Sequence, residues 1–418
     1  MKILLKNATI IDENSPHHLK EADILIADGV IQKINSGLSV SGDTRELILK
    51  NLHVSPGWID SSVSFGEPGY EDRETILNGL RTAALSGFTQ VAVNANTSPI
   101  ADTKGIINFI KSKAFGNAVD LLPVAALTIG SKGIDLAELY DMKSEGAISF
   151  YDYKKPIENA NLLKIALQYS EAFDGLVQSF PFEKSVASKG FVNEGENSTK
   201  LGLKGIPGFS EELQIARDLK ILSYTGGKLH IPTISTRESV QLIREAKHNG
   251  LNVTCSVAIF NLMLTDDVLE TFDTNYKLLP PLRLQEDINA LLDGLADGTI
   301  DGVTSDHNPI DVEHKKVEFD QAFYGSIGLE SCFGALNKMV GTEKAVKYLT
   351  GLSAVFGQEK MAIKEGSQAN LSLFDPDLSW KLTEKDLFSF SKNAALLNKD
   401  LKGRAYGIIS NNQIVLTE

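Results

Sequence analysis

Few residues in this chain are typed and spaced for chemistry. Seven histidines occur in 418 residues, and His17, His18, His53, His248 and His314 show no metal-ligand spacing, so they read as solvated side chains. Cys255 and Cys332 provide no disulfide framework, as in a protein of the reducing cytoplasm. One stretch stands out: Pro56 to Gly69, PGWIDSSVSFGEPG. Gly57–Ser64 reads as a buried strand, ended by the turn residues Gly66, Pro68 and Gly69. Side chains alternate along a strand, so Ser62 and Ser64 share one face. Hydroxyls in such a pair are poor zinc ligands at neutral pH, because zinc prefers imidazole, thiolate or carboxylate. Asp306 and His307 follow a short apolar run, Gly302–Ser305, and His307 reads as structural. The glycines of Gly202–Gly208 lack a phosphate-loop pattern and read as turns.

These residues need elements to position them. The chain is 42% hydrophobic and 23% charged, the balance of a soluble globular protein. No apolar run reaches the ~18 residues of a membrane span, and the N-terminus, MKILLKNATIIDENS, alternates like a strand rather than a signal peptide. A net charge of −13 argues against nonspecific nucleic-acid binding. Residues 1–52 and 362–418 are strand-like, with hairpin signals at Asp28-Gly29 and Asn411-Asn412. The two ends are expected to form one β-sandwich. Residues 53–361 alternate strand-like and helix-like segments, an α/β pattern. Eight candidate strands run Gly57–Ser64, Gln90–Asn94, Asp120–Ala126, Ala147–Tyr151, Leu176–Phe180, Lys228–Ile234, Asn252–Val257 and Gly302–Ser305. Periodicity alone does not separate a barrel from an open parallel sheet.

The ordered motifs decide between them. Asp60 and Glu67-Pro68-Gly69 sit where the cyclic amidohydrolases carry Asp-x-His-x-His-x-Arg-Glu-Pro-Gly. GFTQVAVNANTSP (87–99) resembles Gly-Phe-Thr…Pro-Asn-Thr, and AISFYDYKKP (147–156) resembles Phe-Ser-Asp-Asp-Gly-Lys-Pro. LHIPTISTRESVQLIREAK (229–247), PPLRLQEDINALLDGLADGTIDGVTSDHNP (280–309) and FDQAFYGSIGLE (319–330) continue the series. The chain resembles the dihydroorotases that associate with aspartate transcarbamoylase. That resemblance implies a (β/α)₈ TIM barrel with its chemistry at the C-terminal ends of the strands, plus the small sandwich.

The resemblance also implies which positions held zinc: Ser62 and Ser64 for two histidines, the segment with Asp152 for a bridging carboxylate, Phe180 and Thr233 for two more histidines, and Asp306. Only the aspartates are retained, so no cofactor is expected although zinc is the family's, and Asp306 is a vestigial general-base position. Asp152 and Asp306 together could hold only a weakly bound hard cation. On the substrate side Asn96 is kept, while Gly66, Leu279 and Ile310 replace Arg, Asn and His. His230, three residues before Thr233, is expected on the opposite strand face. The implied protein is a cytoplasmic pseudoenzyme of pyrimidine biosynthesis, homo-oligomeric, with aspartate transcarbamoylase as partner. Two alternatives remain: an active cyclic amidohydrolase with a rebuilt metal site, and a small-molecule sensor using the old pocket.

Overall fold

Alternating strands and helices assemble into a closed parallel sheet. The computed structural model describes residues 1–39, 44–359 and 361–417. Trp58–Val63, Phe88–Val93, Asp120–Ala125, Ser149–Phe150, Leu176–Gln178, Lys228–Ile231, Val253–Ala258 and Gly302–Thr304 lie side by side in chain order, the topology of a (β/α)₈ barrel. The first strand returns to the last through a parallel bridge between Val63 and His307, with Ser64 N donating to His307 O at 2.7 Å. The sixth strand ends at Ile231, earlier than the apolar run: Pro232 lacks an N–H and Thr233 has φ +49. Helices such as Ile76–Leu85, Arg237–His248 and Gln285–Ala296 alternate with the strands.

Both chain ends build the second sheet, the sandwich. Lys2–Ile10, Glu21–Ala27 and Val30–Asn35 pair in succession, and Leu371–Lys381, Asp400–Ser410 and Gln413–Leu416 do the same. Asp28 (φ +51) and Gly29 (φ +77) form one tight turn, and Asn411 (φ +49) and Asn412 (φ +54) the other. Positive φ at both central residues is what a type I′ hairpin requires. His53–Pro56, which the sequence reading placed in the barrel segment, joins this sheet, pairing with Leu371–Phe374 and with Thr9–Ile10. Its core is separate and aliphatic, including Ile3, Ile24, Ile26, Val54 and Leu371. Among the described residues no helix is long and apolar enough to cross a membrane.

Trp58 joins the two domains. Its ring stacks on Phe333 at 4.6 Å and meets Phe374 at 5.4 Å and Phe88 at 5.9 Å. Its indole N–H donates to Ser55 Oγ at 2.9 Å. Ser372 Oγ accepts from Trp58 N and donates to Gly87 O at 2.6 Å, fastening a sandwich strand to the barrel. Gly87 has φ +91, and a Cβ there would lie 2.5 Å from the Trp58 ring. Trp58→Ala is expected to cost about 3–5 kcal/mol, since a wholly buried aromatic leaves a cavity. Denaturant titration should show a lower midpoint; an unchanged midpoint would mean the joint contributes little.

Candidate functional site

The barrel mouth is organised by two buried aspartates, Asp60 on the first strand and Asp306 just after the eighth. Asp60 accepts from Ser62 N at 3.1 Å, from Ser305 N at 2.9 Å and from the Thr304 hydroxyl. Burial pushes its carboxyl up to about 6, and the bonds from Ser305 and Thr304 act against that rise. Asp306 follows in the left-handed region, φ +47. Its Oδ1 accepts from Ser62 Oγ at 3.2 Å and its Oδ2 from Lys154 Nζ at 2.6 Å. Asp306 is buried and Lys154 partly so, with side chains 5% and 10% exposed. Asn94 Nδ2 donates to Ser62 Oγ at 3.1 Å, and Ser64 Oγ to Asn96 Oδ1 at 3.0 Å. Ser62, Ser64, Asn96 and Asp306 are thus brought together, and their polar groups are bonded to one another.

Lys154 was missed by sequence reasoning. Aligned on the closing Lys-Pro, it stands at the glycine of Phe-Ser-Asp-Asp-Gly-Lys-Pro, and it keeps the left-handed backbone that glycine favours, φ +52. That substitution was the available signal. Asp152 does not share this site as a second cation ligand: one oxygen accepts from Leu127 N at 2.9 Å and Thr128 N at 3.0 Å, and the other from the Thr128 hydroxyl. It braces the turn after the third strand.

The remaining positions to which the resemblance assigns metal ligands make other contacts. Phe180 is buried in a cluster with Tyr151, Tyr153, Ile206 and Leu279, and stacks on Phe182 at 6.0 Å. Thr233 donates its N–H to Ser256 Oγ at 3.2 Å, while its hydroxyl has no partner among the described residues. Because the strand stops at Ile231, alternation does not carry to Thr233. His230 Nε2 lies 3.3 Å from the Ser256 hydroxyl that also accepts from Thr233 N. Burial drives His230 down to about 3, and its ring packs on Phe356. His307 is structural: Gly328 N donates to its Nδ1 at 3.1 Å, and burial lowers it to about 4. His314, expected in solvent, is half-buried against Phe323 and pairs with Asp311 at 2.6 Å.

The frame around the mouth is intact. Glu211 accepts from Ser235 N at 2.7 Å and Thr236 N at 3.1 Å. Arg283 donates to Ser235 Oγ, Asn193 Oδ1 and Ile206 O at 2.8–3.1 Å, clamping the loop 190–206 over the barrel. At Gly66, where the resemblance has an arginine, a Cβ would lie 1.8 Å from Tyr70 O. No side chain fits there without moving the loop.

The family profile described as Dihydro-orotase-like matches residues 52–239. The chain is 39% identical to a dihydroorotase of Pelotomaculum thermopropionicum, covering 100% of this chain and 99% of the relative. It is 37% identical to one of Geotalea daltonii, covering 99% of each. In fold it is similar to the L-hydantoinase of Arthrobacter aurescens, with a TM-score of 0.84 and 22% identity over 99% of this chain and 96% of that one. The dihydropyrimidinase of Brevibacillus agri gives 0.82 at 21% identity, over 100% and 95%.

The expectation of no cofactor is corrected by these matches. The relatives are dihydroorotases over their whole length, and zinc comes with that resemblance as the group against which the site must be judged. The residues present do not fit it. Hydroxyls stand at Ser62, Ser64 and Thr233, a phenyl ring stands at Phe180, and an ammonium lies against the retained Asp306. Among the described residues no three His, Cys, Asp or Glu side chains group as a metal site.

Two predictions follow from this cluster. Lys154→Met should destabilise the protein by about 3–5 kcal/mol at neutral pH, because it strands a buried carboxylate. Lys154→Met with Asp306→Asn should recover most of that loss, and additive costs in the double-mutant cycle would mean the pair is uncoupled. Burial already raises the Asp306 carboxyl, and Lys154 opposes the rise. Losing the ammonium raises it further, and a raised carboxyl contributes stability in acid that is lost as pH climbs through its folded value. The single variant should therefore lie nearest the parent in acid and fall behind towards neutral pH. Separately, Phe180→His with zinc chelated should cost about 1–3 kcal/mol by burying an unsatisfied imidazole; an equal denaturation midpoint would show that the mouth is open at that point.

Proposed function

This chain belongs to the dihydroorotase family, and from that premise we propose that it is a non-catalytic member that scaffolds aspartate transcarbamoylase. It is a dihydroorotase-like protein of pyrimidine biosynthesis. The observation that carries the non-catalytic reading is the Lys154–Asp306 pair. Hydrolysing a cyclic amide by the family's chemistry needs a polarised carbonyl, an activated water and a base free to take its proton. Here the base position accepts from an ammonium at 2.6 Å and from Ser62 at 3.2 Å. Burial raises this carboxyl and the ammonium opposes the rise, but both of its oxygens already accept hydrogen bonds, so an attacking water must compete with Ser62 and Lys154 for the base.

The scaffold reading rests on what is kept. The barrel, the sandwich and the Glu211–Arg283 clamp persist around a mouth filled by Phe180, Tyr153 and Leu279. The same filling weighs against a sensor that binds its ligand in the old pocket. We place the protein in the cytoplasm as a homo-oligomer, in complex with the transferase.

The test has two arms. Dihydroorotate hydrolysis and carbamoyl aspartate cyclisation, assayed with zinc supplied, are expected to stay at the buffer rate. Turnover that survives purification and disappears in Asp306→Ala would overturn the non-catalytic reading. The full-length protein is expected to co-elute with aspartate transcarbamoylase from the same cells. Separate elution, both from native extract and after mixing the purified proteins, would overturn the scaffold.

A further inference from the structure

Two lysines are buried beside the barrel mouth without a carboxylate partner. Lys277 is 3% exposed and Lys315 4%. Lys277 Nζ donates to the backbone oxygen of Asp320 at 2.8 Å, and Lys315 Nζ to that of Thr274 at 2.7 Å. An ammonium has three donors, and among the described residues neither lysine forms an ion pair. The Lys277 ammonium faces the rings of Phe191 at 5.0 Å, Tyr324 at 5.3 Å and Phe319 at 5.9 Å. Ring faces attract the cation but supply no counter-charge. Burial, and then the nearby Lys277, push the Lys315 ammonium down to about 7; Asp273 opposes this and Lys154 adds to it. Three lysines thus bear on one region, and among the described residues only Lys154 has a carboxylate within ion-pair distance; Asp320 acts on Lys277 and Asp273 on Lys315 from farther away. Buried charge left unpaired is costly, so an arrangement of this kind favours an anion.

The geometry supplies an entrance. A cavity of about 690 Å³ has Lys315 on its wall, beside Thr274, Asn275 and Lys392. Acidic residues also line it, but they are exposed at the rim or already engaged. Asp72, Asp273, Glu313 and Glu384 are exposed. Asp311 is held by Arg73 at 3.0 Å and His314 at 2.6 Å. None of these carboxylates lies within ion-pair distance of Lys315.

We propose that Lys315, backed by Lys277, anchors a binding site for a small anion, a carboxylate or phosphate group that enters through this cavity. The site lies outside the Ser62–Asp306 cluster, so it stands or falls independently of whether the chain turns over dihydroorotate. Binding pairs the anion with the ammonium and raises the lysine's affinity for its proton, so the anion and a proton are taken up together.

Calorimetry on the full-length protein tests this at about pH 7.5, close to the Lys315 value, in two buffers of different ionisation enthalpy and at matched ionic strength. The probes are sulfate, a non-titrating stand-in for a phosphate group, and succinate for a carboxylate. Saturable binding of either with net proton uptake is expected, and whichever binds more tightly identifies the source of the anion. Lys315→Met should weaken binding by about tenfold or more, through loss of a charge-assisted contact. The exposed-rim variant Lys316→Ala should bind like the parent. No saturable binding of either probe, or an unchanged affinity in Lys315→Met, would overturn the site. Should Lys315→Met fail to fold, the parent decides: binding without proton uptake would equally overturn it.

Discussion

The Asp60 carboxylate is the constraint on which the mouth of this barrel depends. A (β/α)₈ sheet must bring its last strand back to its first, and here a buried carboxylate spans that seam. Asp60, on the first strand, accepts from the Thr304 hydroxyl and Ser305 N at the end of the eighth. It also accepts from Ser62 N, two residues along its own strand. These bonds hold the backbone that turns Asp306 into its left-handed conformation and points Ser62 at it. Burial raises the Asp60 carboxyl to about 6, so the clasp is maintained against a desolvation penalty by three directed donors.

What the clasp presents is a carboxylate answered by an ammonium. A metal ion and Lys154 both balance the charge of Asp306, yet their chemistry differs. A divalent metal with an open position can polarise a substrate oxygen and lower the pKa of bound water. The ammonium is a point charge with three hydrogen-bond donors and no open coordination site. The neighbouring residues follow the same logic: Asn94 donates to Ser62, Ser64 donates to Asn96, and Phe180 packs with Tyr151, Tyr153 and Leu279. These bonds and this packing stabilise the core, while the Thr233 and Ser305 hydroxyls have no partner among the described residues. The outer frame is retained around this altered centre, with Arg283 reaching Asn193 and Ile206 across the mouth.

Much of the architecture was legible in the residue order because its causes are local. Turn residues at Asp28-Gly29 and Asn411-Asn412 dictate tight hairpins, and both appear. The eight strands were found in order, though Ser149–Phe150 and Lys228–Ile231 are shorter than their apolar runs. Strand ends depend on pairing partners and on residues such as Pro232, which periodicity weighs poorly. His53–Pro56 shows the same limit: its residues suit a strand, but only its neighbours at Leu371–Phe374 place it in the sandwich.

By itself the sequence determined which family scaffold the chain adopts and which residues stand where the resemblance has metal ligands, since both follow from residue types at fixed spacings. Ser62, Ser64, Phe180 and Thr233 are those residues. The tertiary structure decided their surroundings. Lys154 and Asp306 are 152 positions apart, and nothing in either segment reveals the other as a partner. Asp152, which resemblance grouped with Asp306, turns instead to Leu127 and Thr128. Lys277 and Lys315 look like ordinary surface lysines until the barrel buries both and leaves them without an acid. Charge pairing is set by distance in space and by the exclusion of water, and a closed barrel brings together what the chain keeps far apart.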